Sequence, residues 1–99
     1  MYARVASWEG ADAETLNRTA AEIRTRTEEE GGPPEGLPAK GFLLLNDTEG
    51  GRSIGITLFE TEDDYARGDA KLNEMSPPGE GMGRRVSVVK YEVAVEVEA

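Results

Sequence analysis

The chain has no cysteine and no histidine, three lysines, six aromatic residues and no apolar run longer than Phe42-Leu43-Leu44-Leu45. Without Cys or His the usual zinc and copper ligands, the thiolate nucleophile, the Ser-His-Asp arrangement and the commonest proximal haem ligand are excluded. Neither a metal nor another cofactor is therefore expected. A four-residue apolar run is far below the ~20 residues that span a bilayer, so no membrane partner is expected. Cations are few and scattered: 11 Lys plus Arg face 20 Asp plus Glu, a formal charge of −9 that repels a phosphate backbone and argues against nucleic acid. The chain opens on Tyr-Ala-Arg-Val-Ala-Ser-Trp with no basic leader or cleavage site, and a cytoplasmic protein is the expectation.

What is present is a clean succession of periodic segments. Ninety-nine residues suit one domain over residues 1–99, large enough to bury roughly two-thirds of the surface its unfolded chain exposes. Tyr2 to Trp8 alternates as a strand, with Tyr2, Arg4, Ala6 and Trp8 on one side and Ala3, Val5 and Ser7 on the other. Asp12 is a good N-cap for a helix of about 18 residues in which Leu16, Ala20, Ile23 and Thr27 recur at helical spacing until Gly31 stops it. The prolines and glycines of Gly31 to Pro38 make a loop.

Gly41 to Asn46 and Arg52 to Phe59 read as antiparallel strands joined by an Asp47-Thr48-Glu49-Gly50-Gly51 hairpin loop. Thr61 caps a second helix, with Asp64 completing a capping-box pattern and Ser76-Pro77-Pro78 as its stop. Val86 to Val97 is a long last strand whose change of parity predicts a bulge near Val89. The order β-α-β-β-α-β predicts a ferredoxin-like α+β fold: a four-stranded antiparallel sheet of order 4-1-3-2 with both helices on one face. The strands are apolar at both parities, so the uncovered face is expected to be apolar and to close by forming a homodimer. Arg4, Ser53 and Thr57 are assigned to that open face, with Glu92 or Glu96 as the charge partner of Arg4.

The order of elements, Gly41-Phe42-Leu43-Leu44-Leu45, the run Arg52 to Tyr65 and the Val-rich last strand together resemble the dimeric α+β barrel superfamily, and within it the antibiotic biosynthesis monooxygenase domains. In that family an aromatic, a Glu and a Ser or Thr close the third strand, the positions held here by Phe59, Glu60 and Thr61. The resemblance implies a homodimer built through the sheet into an α+β barrel, and a pocket for a small molecule. Two functions follow. One is binding of a small apolar or aromatic ligand without metal or haem. The other is cofactor-independent oxygenation of an aromatic or polyketide-like compound.

Oxygenation of that kind needs a polar group in an enclosed apolar pocket, and the candidate catalytic residues are Asn46 and Arg4, the latter as an anion-stabilising group. The candidate ligand pocket is Trp8, Asn46, Phe59 and Tyr65. Each has a structural alternative: Asn46 suits the start of the hairpin turn, and Trp8 and Tyr65 suit a core or an interface. Other patterns carry less. Gly79 to Arg85 leads out of a helix into a strand, the reverse of a phosphate loop, and is read as a connector able to close over a pocket mouth. Glu28-Glu29-Glu30 and Glu60-Glu62-Asp63-Asp64 point in different directions along helices and cannot converge on one cation.

Overall fold

The computed structural model describes residues 1–33, 36–75 and 82–98, Met75 by its backbone only. In chain order the elements are β1 (Tyr2–Glu9), α1 (Ala13–Glu30), β2 (Gly41–Asp47), β3 (Arg52–Phe59), α2 (Glu62–Met75) and β4 (Arg84–Glu92). All strand pairings are antiparallel, and the sheet runs β2-β3-β1-β4, which read from the other edge is 4-1-3-2.

The helices begin and end where local chemistry dictates. The Asp12 carboxylate accepts from the Thr15 N–H at 2.8 Å, and Gly31, at φ 75°, donates its N–H back to the Thr27 carbonyl. The Thr61 hydroxyl accepts from the Asp64 N–H at 3.1 Å. Only that half of the expected capping box forms, because the Asp64 carboxylate pairs with Arg67 one turn on. At the hairpin, Asp47 accepts from the Gly50 N–H and from the Arg52 guanidinium. The stop at Ser76-Pro77-Pro78 and most of the Gly79 to Gly83 connector lie outside the described residues.

Residues facing each other across an antiparallel pair share a side of the sheet, so the register sorts the faces. Tyr2, Arg4, Ala6 and Trp8 stand opposite Phe59, Thr57, Gly55 and Ser53, and beside Phe42, Leu44 and Asn46 of β2. This is the helix side. Arg4 Nε reaches Asp69 of α2 at 2.7 Å, and the Phe59 ring meets Tyr65 edge-on with centroids 5.5 Å apart. The expectation that Arg4, Ser53 and Thr57 lie on the open face is therefore corrected: all three are buried beneath the helices. Alternation assigned each to one side of its strand, but which side the crossovers cover depends on where α2 lands. The partner of Arg4 is accordingly Asp69 rather than Glu92 or Glu96, because α2 brings a carboxylate down on that side.

Two features of β4 also differ. Its register shift falls between Ser7 and Trp8 of β1, which oppose Ser87 and Arg85, so the extra residue is Val86 and not Val89. The chain enters β4 through Gly83, at φ 86°, whose backbone lies so close to β1 that a Cβ would overlap the Glu9 carbonyl oxygen. The offset is absorbed near that entry. Regular structure ends at Glu92 instead of Val97 because Glu92 is already opposite Tyr2; one further bond, from the Val93 N–H to the Met1 carbonyl at 3.0 Å, exhausts β1, and Val95 and Val97 are exposed.

Candidate functional site

The two helices treat the sheet differently. On the α2 side Phe59 is fully buried, and Gly68 lies so near its ring that a Cβ there would overlap it. Burying such an aromatic contributes about 1.5–3 kcal/mol. Arg4, 5% exposed, donates to Asp69 and, through Nη2, to the Asn73 side chain at 3.0 Å, which also accepts from Arg85 at 2.8 Å. Lys90 lies 4.9 Å from the Tyr2 ring centroid and 5.1 Å from that of Tyr65, with Glu62 beyond it. Burial, and next the Asp69 charge, raise the Tyr65 phenol above its ordinary value, while Arg4 opposes the shift. The Tyr2 phenol is raised chiefly by the Glu62 carboxylate.

Under α1 there is space instead. Leu16 is the buried residue of that helix, and further along it a cavity of about 350 Å³ opens between the helix, the segment leading into β2, and the sheet. Ile23, Leu37, Phe42 and Trp8 form apolar walls, and Thr57 lies among them. Gly55 creates part of this shape: the Trp8 indole lies across it, 3.2 Å from where a Cβ would stand, with Phe42 at 3.7 Å. Phe42 is 46% exposed because α1 does not close down on β2. Arg26, Glu30 and Lys40 ring the mouth.

The structure separates the residues that the sequence grouped. Trp8 lines the cavity. Phe59 and Tyr65 pack on each other beneath α2, and Arg4 is held there by Asp69 and Asn73. Asn46 sits at the far end of β2, its side-chain oxygen accepting from the Ser53 hydroxyl at 2.8 Å. Asn46 and Trp8 do share a second hollow of about 470 Å³ at the strand ends, but most of its lining, including Ser7, Leu45, Asp47, Arg52 and Ile54, belongs to the open face.

Sequence reading did not pick out Ile23, Leu37, Thr57 or Lys40 as neighbours. The helical stripe through Ile23 and the parity shared by Phe42 and Leu44 were available signals; the approach of the Pro-rich segment was not. Among the described residues no cluster of three or more acidic side chains could hold a metal ion, and no helix is long and apolar enough to cross a membrane.

The open face carries Leu43, Leu45, Ile54, Val89 and Tyr91, each between 37% and 53% exposed. Its charges at the hairpin end are already matched, Arg52 with Asp47 and Arg84 with Glu9. No protein-family model, curated protein or solved structure matches this chain.

Proposed function

We propose that the protein is a ligand-binding domain that takes a small apolar or aromatic molecule into the cavity beneath α1, and that it works as a homodimer joined through the open face of the sheet. The observation that carries the binding reading is the cavity itself: its volume falls in the range of small-molecule sites, and Trp8, Phe42, Ile23 and Leu37 give it aromatic and aliphatic walls with the buried Thr57 among them. Binding is favoured over oxygenation because the two polar groups that oxygenation would draw on are engaged elsewhere, Arg4 with Asp69 and Asn46 with Ser53, and neither lines this cavity.

The dimer reading rests on the open face. Contiguous apolar surface of this kind rarely stays bare in water. A second copy suits it because charges at the hairpin end are paired within each chain, so an isologous contact meets no concentrated like charge there despite the overall −9.

Trp8 is the only tryptophan and reports on the cavity directly. Titration with a neutral aromatic such as 4-phenylbutan-1-ol should shift its emission saturably, and Ile23→Phe, which grows into the cavity, should abolish the shift. An emission spectrum that never moves, with no chemical-shift change in α1, overturns the binding reading. Sedimentation at micromolar concentration should give a dimer that Leu43→Glu dissociates; a monomeric parent chain removes the dimer reading.

A further inference from the structure

The mouth of the cavity narrows the ligand class, an inference that rests on the binding reading above. Arg26 projects from α1 and Lys40 from the segment entering β2, so two cations meet the opening from different sides. Neither side chain makes a hydrogen bond or an ion pair with another described residue. Among the described residues Arg4, Arg52, Arg67, Arg84 and Lys90 are committed to acidic partners, so Arg26 and Lys40 are the two cations at this cavity that stay available to a guest. Among the described residues that line the cavity, Glu30 supplies the one negative charge and leaves one positive charge in excess.

The interior has a different character. Among the described residues the ionisable side chains that line it are the exposed Arg26, Glu30 and Lys40, and its buried polar residue is Thr57, 3% exposed and without a side-chain hydrogen bond to any described residue. A hydroxyl so placed can donate to or accept from a guest.

We propose that the ligand is an amphipathic acid: an aromatic or alkyl body inside the cavity, against Trp8 and Phe42, and a carboxylate at the mouth between Arg26 and Lys40. The apolar body supplies most of the affinity through burial, and the guanidinium offers the carboxylate a two-pronged donor. An uncharged analogue keeps the first contribution and loses the second.

The test compares 4-phenylbutyrate with 4-phenylbutan-1-ol, which differ at the head group, by Trp8 emission at low ionic strength. The acid should bind roughly five- to tenfold more tightly, the size expected from two solvent-accessible charge contacts. The gap should shrink as salt is raised. In Arg26→Gln/Lys40→Gln it should close, with the alcohol unchanged; both residues are exposed, so the fold is not at stake. If both compounds bind equally and Ile23→Phe still blocks them, the carboxylate assignment falls while the cavity reading stands. An acid advantage that survives the double substitution also overturns the assignment. If neither compound binds, both readings fall.

Discussion

Under α2 a helix and a sheet meet through Gly68 and Phe59; under α1 the same kind of helix crosses the same sheet and leaves about 350 Å³ between them. The two halves, β1-α1-β2 and β3-α2-β4, repeat one unit. What separates them is side-chain size at the point of contact. A glycine inside a helix costs about 0.5–1 kcal/mol relative to alanine, and at position 68 it lets α2 settle on a fully buried ring. Arg4 then finds Asp69 and Asn73 within reach. Close packing in one half makes it the stabilising half, and the standing space in the other is what the proposed ligand uptake would use.

The comparison breaks most readily at Phe59. Phe59→Ala should lose about 3–5 kcal/mol in urea unfolding, since its cavity cannot collapse under a helix held by Gly68. Next is Arg4→Met, expected to lose about 1.5–3 kcal/mol because it strips a charged hydrogen bond from Asp69 and a second from Asn73. A loss as large from a substitution at Arg26 would erase the distinction between the halves. Adding carbon on each side is the sharper probe. Gly68→Ala should cost about 1–3 kcal/mol through overpacking, whereas Thr57→Ile, which also enlarges a buried residue, should change stability by less than about 1 kcal/mol because the cavity receives it.

The smallest effect concerns acid. The Asp12 carboxyl is held below its ordinary value by the Thr15 N–H, while the α2 cap is a Thr61 hydroxyl that does not titrate. A depressed carboxyl contributes its stability in full above the unfolded value of about 4 and loses it as pH falls through the lower folded value. Amide protection in the first turn of α1 should therefore fall as pH drops below about 4. Asp12→Asn, which caps without titrating, should remove that fall in the first turn; exchange rates by NMR would show it.

Much of this molecule is legible from short spans of sequence. Asp12 with Thr15, Thr27 with Gly31, and Asp47 with Gly50 lie within four residues of each other, and such caps and turns need no distant partner. The alternation of β1 and β3 correctly grouped Arg4 with Trp8 and Ser53 with Thr57. It did not say which group the helices would cover, and so Arg4 was assigned the wrong partner. The candidate site was legible only at Trp8 for the same reason: Phe59 and Tyr65 are close in sequence and pack together, but the cavity joins α1, the approach to β2, and β3.

By itself, the sequence determined the elements, the caps of the helices, the antiparallel order of the strands and the absence of histidine and cysteine chemistry, because each depends on composition or on contacts a few residues apart. The end of β4, set by where β1 runs out, was not among them. Only the tertiary structure decided which side of the sheet is covered, that Arg4 belongs to Asp69, and that α1 stands clear of Phe42 and Thr57. Those outcomes turn on how closely each helix can approach the sheet, and that distance is set by side chains remote in the chain meeting at one place.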